Sequence, residues 1–224
     1  MFRFASYRGC ARVLFASAGA VIFSAGSAHA ITLDDISVWA GSGANRAGLV
    51  VDWANGSSPV VYGYRFDGSA TGQDMFNAIF AQQTELYAKV AQFGFGDAAV
   101  GIGIDRDSDG FSLDDGSTFT SGLTTISSAQ ANAGDADGAT PTDSDDDYLE
   151  GWNTAFWGYY VSDGASDWGF ASSGFGGRTL QDGDWDGYAY APGFSGSAPS
   201  VAVPEPSSLA LLGLAGLALV RRRR

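Results

Sequence analysis

Six consecutive residues, Asp105-Arg106-Asp107-Ser108-Asp109-Gly110, carry the clearest chemical pattern in the chain. Aspartates at positions 1, 3 and 5 with glycine at position 6 open an EF-hand-type calcium loop. Calcium is a hard cation that takes about 6–8 oxygen ligands, and alternate residues of a tight turn can aim several carboxylates at one point. The full loop wants Glu at position 12. Gly116 stands there, with Asp114 and Asp115 before it, and no helical pattern precedes the loop. The pattern is therefore not an EF-hand. Asp105, Asp107 and Asp109 are candidate ligands of an irregular, strand-linked Ca2+ loop, or form a solvated Asp-Gly turn. A second acidic run, Asp143, Asp145, Asp146 and Asp147, reads as a solvated loop.

Other chemistry is limited by what is missing. Cys10 and His29 are the only residues of their types, and both precede residue 31. A chain starting at Ile31 has no Cys nucleophile, no Ser-His-Asp triad, no His/Cys zinc site and no disulfide. One lysine, Lys89, is present. Carboxylates are the remaining abundant catalytic groups, and no spacing singles out a hydrolytic pair. The expectation is a protein without catalysis. Trp157, Tyr159, Trp168 and Trp185 either face a flat apolar ligand or form the core and cross-strand pairs of a sheet.

The formal net charge is −13. Three of the 12 basic residues and none of the 25 acidic ones precede residue 31, so the remainder carries −16. Such a surface repels nucleic acid and anionic lipid, and suits a soluble exported protein or one that collects cations.

Both ends read as addresses. Arg3, Arg8 and Arg12 precede an apolar stretch from Val13 to Gly26, and Ala28-His29-Ala30 fits small-x-small cleavage. This predicts a secretory signal peptide over 1–30, handled by the Sec translocon and signal peptidase and cut after Ala30. At the other end, Val203-Pro204-Glu205-Pro206 leads into an apolar run, Leu209 to Val220, closed by Arg221, Arg222, Arg223 and Arg224. A helix over that run reaches roughly 18 Å, short of the ~30 Å hydrocarbon core. The arginines can snorkel and mark the cytoplasmic side. The order of signal, apolar helix and arginines resembles the PEP-CTERM sorting domain of Gram-negative bacteria. That resemblance implies an inner-membrane-anchored precursor, cleavage by an exosortase-type membrane protease, and delivery to the cell envelope or an extracellular matrix, with exopolysaccharide as an implied partner.

The elements between these ends must position the candidate residues. Ile36–Trp39, Leu49–Trp53 and Val60–Phe66 read as strands separated by Gly/Asn/Ser/Pro turns. From Thr71 to Phe93 the period changes. Met75, Ile79, Leu86 and Val90 recur at intervals of four and seven, which predicts one long helix with Thr71 as N-cap, Asp74 completing a capping box and Gly94 as the stop. Ala99–Ile104 is a strand feeding the Asp loop. Phe111 to Glu150 is the least ordered part by composition. Trp152–Val161, Trp168–Ser172 and Trp185–Tyr190 are aromatic strands, and 191–202 is a flexible spacer rich in Pro, Gly, Ser and Ala.

A helix, then Trp157-Gly158-Tyr159-Tyr160-Val161, then Leu180-Gln181-Asp182-Gly183-Asp184 before a closing strand resembles the transcobalamin C-terminal-like β-grasp family. The resemblance implies a module whose aromatics could face a corrinoid-like ligand. The expected fold is α+β: a mixed, mostly antiparallel β-sheet with one long helix packed across it, β-grasp-like, plus a C-terminal hydrophobic helix. The expected organisation is a signal peptide over 1–30, a domain over 31–190 with an acidic insert at 107–150, a spacer at 191–202 and the sorting tail at 203–224. Function is expected to be that of a sorted surface or matrix protein, or of a small-molecule or calcium-binding module.

Overall fold

The computed structural model describes residues 30–203. The expected signal peptide, its cleavage residue Ala28, the sorting residues Pro204, Glu205 and Pro206, the apolar tail helix and Arg221 to Arg224 lie outside the described residues. In chain order the strands are β1 (Trp39–Gly41), β2 (Asn45–Asp52), β3 (Val60–Phe66), β4 (Leu86–Phe93), β5 (Gly96–Ile104), β6 (Leu123–Ser127), β7 (Asp147–Glu150), β8 (Ala155–Ser162), β9 (Gly169–Phe170) and β10 (Trp185–Pro192). Helix α1 (Gly72–Gln82) lies between β3 and β4.

The strands form two sheets. One has the order β1-β3-β2-β10-β8-β9, the other β6-β4-β5-β7. Antiparallel pairing predominates, and β1/β3, β2/β10 and β4/β6 are parallel. The mixed, mostly antiparallel α+β class matches the expectation. The single β-grasp sheet does not, because β4, β5, β6 and β7 form a sheet of their own. The core is shared by both sheets and the helix: Leu49, Val51, Trp157, Tyr159 and Tyr188 from one sheet, Leu86, Ala88, Ile102 and Ile104 from the other, and Met75, Phe76, Ile79 and Phe80 from α1. Trp53, fully buried beyond β2, ties the sheets by donating Nε1–H to the Ile102 carbonyl at 3.0 Å.

The long helix is corrected to half its length. Thr71 does cap it: its hydroxyl accepts from the Asp74 amide at 3.2 Å, and Asp74 accepts from the Thr71 amide at 2.8 Å. The helix stops at Gln82, and Leu86 to Phe93 is strand β4. The period argument fails for a definite reason. A spacing of four is even, so Leu86 and Val90 share one face of a strand as readily as one face of a helix. Gly94 does not stop a helix; with Phe95 it joins β4 to β5.

Strand β2 is central and covered on both faces, as its apolar run predicts. Leu49 and Val51 point into the shared core. Val50 points the other way, into a second cluster with Ile36, Trp185 and Val203. The chain's flanking segments cover this outer face. The Ile31 amide donates to the Ala202 carbonyl at 2.9 Å. Ser200 donates its amide and hydroxyl to Asp52 Oδ2 at 2.8 and 2.7 Å. Residues 191–202, expected as a flexible spacer, complete β10 to Pro192 and return over the sheet, because Val50 and Trp185 would otherwise face water. Ile36–Trp39 is replaced by a 3-10 turn at Leu33–Asp35 and the short β1, and the partner of β8 shrinks to Gly169–Phe170. The stretch from Phe111 to Glu150 contains β6, β7 and a short helical turn.

Candidate functional site

Strand β5 runs between β4 and β7 and delivers the acidic loop from its C-terminal end. Asp105, the first residue beyond it, is buried and folds the turn. Its Oδ1 accepts from the Ser108 amide at 2.6 Å, and its Oδ2 from the Gly110 amide at 3.1 Å. Asp107 accepts from the Asp109 amide at 3.2 Å. Gly110 sits at φ 121°, a conformation that suits glycine. One carboxylate oxygen from each of Asp105, Asp107 and Asp109 lies within 4.8 Å of the other two. The three candidate ligands are therefore brought together.

The acidic run at 143–147, expected as a solvated loop, turns partly inward against this turn. Asp147 pairs with Arg106 through Nη2 at 2.6 Å and Nε at 2.8 Å, and accepts from Ser57 Oγ at 3.1 Å. Asp146 is buried, and its Oδ1 accepts from the Arg106 amide at 3.1 Å. Burial raises its pKa against the pull of that amide, and the charges of Asp105, Asp143 and Asp107 raise it further. The run leads into β7, whose alternation puts Asp146, Tyr148 and Glu150 on the buried side. Leu149, packed against the shared core, is the one aliphatic residue in β7, so a hydrophobicity reading had no period to follow.

A second polar centre was missed outright. Lys89 is 1% exposed on β4, with Nζ 2.8 Å from Glu150 Oε2, 2.9 Å from Asp115 Oδ2 and 2.9 Å from the Asp135 carbonyl. Tyr148 donates to the same Glu150 oxygen at 2.7 Å, and the Ala139 amide to the other at 2.8 Å. Burial works to lower the Lys89 pKa, but the bonds to Glu150 and Asp115 outweigh it and raise the value above the ordinary one. The amine is thus held protonated and is not poised as a nucleophile. A pocket of about 640 Å³ opens over it, rimmed by Asp114, Asp135 and Asp137. A lone lysine in a supposed helix gave no signal of this role.

The four aromatics proposed to face a ligand are split between two places. Trp157 and Tyr159 line a cleft of about 850 Å³ with Phe175 and Tyr188, rimmed by the exposed Phe95 and Phe170. Trp185 and Tyr188 are three apart on β10 and so lie on opposite faces, which puts Trp185 in the outer cluster, with Trp168 packed against it. Each indole or phenol in question except Trp185 has a defined partner: Trp157 Nε1 donates to the Leu149 carbonyl at 2.9 Å, Trp168 Nε1 to the Val201 carbonyl at 2.8 Å, and Tyr159 to Asp186 Oδ2 at 2.7 Å. Asp186 is 1% exposed and pairs with Arg178 at 2.7 Å. Burial pushes its carboxyl up to about 6, against the Arg178 charge and the Tyr159 hydrogen bond.

Among the described residues no helix is long and apolar enough to cross a membrane. Residues 202–224 match the PEP-CTERM protein-sorting motif. No curated protein and no solved structure matches the chain.

Proposed function

We propose that this chain, which carries a PEP-CTERM sorting motif at its C-terminus, is an exported, non-catalytic protein of the cell surface or extracellular matrix. The motif match is the observation that carries the reading. It implies a bacterial protein that is exported, sorted at a membrane and recognised by an exosortase-type protease. The finer steps are removal of the signal peptide after Ala30, transient anchoring by Leu209 to Val220 with Arg221 to Arg224 inside, and release at Pro204-Glu205-Pro206. The strongly acidic composition supports a body that stays soluble once released.

The join between body and tail supports this order of events. Val203, the second residue of the motif match, is 5% exposed and packed with Ile36, Val50 and Trp185. Ile31, which the signal cleavage would make the first residue, is paired to Ala202. Both exported ends would therefore leave the fold at one place, on one face. The test is mass spectrometry of envelope and secreted fractions, comparing the native chain with Pro204→Ala and Glu205→Ala. The native protein should lack Arg224 in its final form, and both variants should accumulate as the longer precursor. Unchanged processing of both variants would remove the sorting role.

A further inference from the structure

Among the described residues four large apolar side chains are exposed: Val38, Phe95, Phe170 and Phe194. Single exposed apolar residues are ordinary, but exposed rings that share a groove mark a binding site. Phe95 and Phe170, 74% and 63% exposed, line the same cleft. They come from different sheets: Phe95 from the turn between β4 and β5, Phe170 from the edge strand β9. Both rings are held in place. Phe95 stacks on Phe93 at 5.0 Å, and Phe93 on Trp152 at 4.1 Å. Phe170 meets the Tyr160 ring edge-on at 5.3 Å. A ring fixed before binding loses little freedom when a ligand arrives.

The rest of the lining is of two kinds. Trp157, Tyr159, Phe175 and Tyr188 add aromatic surface, while Gln73, Asp97, Ser172 and Ser173 add donors and acceptors. Gln73 Nε2 donates to Asp97 Oδ2 at 2.7 Å, which ties the start of α1 to β5 and leaves Asp97 Oδ1 to accept from a ligand. A volume of about 850 Å³, walled by rings with a few placed polar groups, is that of a small-molecule site. Among the described residues no lysine or arginine lines the cleft, so an anion would find no counter-charge and would meet Asp97. We infer that this cleft binds a neutral carbohydrate, gripped at its mouth by Phe95 and Phe170. A sugar ring has an apolar C–H face that lies against an aromatic ring, and hydroxyls that both donate and accept. The two kinds of lining match those two halves. A wholly apolar ligand would strip water from Asp97 and the two serines and give nothing back. The site rests on the cleft and not on the sorting tail, and stands or falls separately from it.

The test is calorimetric titration of the full chain, held in a zwitterionic detergent without a sugar headgroup. The probes are the neutral oligosaccharides cellotetraose, maltotetraose, xylotetraose and chitotetraose, with trigalacturonate as an anionic comparison and cyanocobalamin as a flat, largely apolar one. At least one neutral sugar should bind with a Kd of about 1 mM or tighter, and trigalacturonate should not bind. Phe95→Ala and Phe170→Ala, both at exposed positions, should melt near the native temperature and each weaken sugar binding about tenfold. Phe194→Ala, an exposed ring outside the cleft, should keep the native affinity. No binding heat from any neutral sugar at about 10 mM, ten times that Kd, would overturn the site. So would native affinity in both Phe95→Ala and Phe170→Ala, or binding of cyanocobalamin or trigalacturonate with no neutral sugar bound.

Discussion

Single residues in this domain carry charge into places that water does not reach. Lys89 and Glu150 are both buried, and each closes the other's charge at 2.8 Å. Removing one partner of such a pair leaves the other uncompensated, which costs about 3–5 kcal/mol. Lys89→Met should therefore lower stability by about that amount in urea denaturation, and adding Glu150→Gln should recover part of the loss. A simple sum of the two single effects would mean the pair is not coupled. Asp186 makes the corresponding case for pH. Its carboxyl is at about 6 in the fold, above the ordinary 3.8. Between those values the folded state holds a proton that the unfolded chain has released, so this group's contribution to stability falls as pH rises. The stability of the native chain minus that of Asp186→Asn should decline from about pH 4 to about pH 6 and level off above. Urea denaturation at four pH values reads the difference, and a flat line contradicts the burial argument. Arg178, Asp184, Tyr159 and Tyr188 are the charged or titratable groups around it.

At the scale of elements, two tryptophans lie flat against glycine backbones in adjacent strands. Trp185 is the register partner of Gly48, and Trp39 of Gly63. A methyl group at Gly48 would meet Trp185 ring carbons at 2.3 Å, and one at Gly94 meets nothing within 4 Å. Gly48→Ala should destabilise by about 1–3 kcal/mol through overpacking, and Gly94→Ala should be close to neutral. Equal effects at the two positions would show that ring seating is not what sets the spacing of β2 and β10. The same elements explain a misreading. Leu86 and Val90 sit four apart, which suits a helix and a strand alike, and no glycine or proline intervenes between Met75 and Val90 to mark the break. The strand wins because β4 gains two partners, β5 and β6, and buries Leu86, Ala88 and Val90.

Across the whole molecule, the described segment begins and ends on one face of the larger sheet. Ile31, Ile36, Val201 and Val203 cover Val50 and Trp185 there. The first two residues of the sorting motif, Ala202 and Val203, thus belong to the folded body. Val203→Ala should cost about 1–2 kcal/mol from lost apolar contact. The melting temperature checks this, and an unchanged value would show the join to be loosely attached.

The sorting motif at the C-terminal end, the acidic excess, the capped start of α1, the strands β3 and β10 and the trio Asp105, Asp107 and Asp109 were all legible in the chain itself. Each rests on neighbours within a few residues, where spacing and side-chain type decide the outcome. The two-sheet architecture, the split of Trp157 and Tyr159 from Trp168 and Trp185, the Lys89–Glu150 pair and the inward turn of Asp146 were decided only by tertiary structure. They join residues 61 positions apart, as between Lys89 and Glu150, or 40 apart, as between Arg106 and Asp146. Pairing at that range depends on which strands find each other, and no local period in a sequence records it.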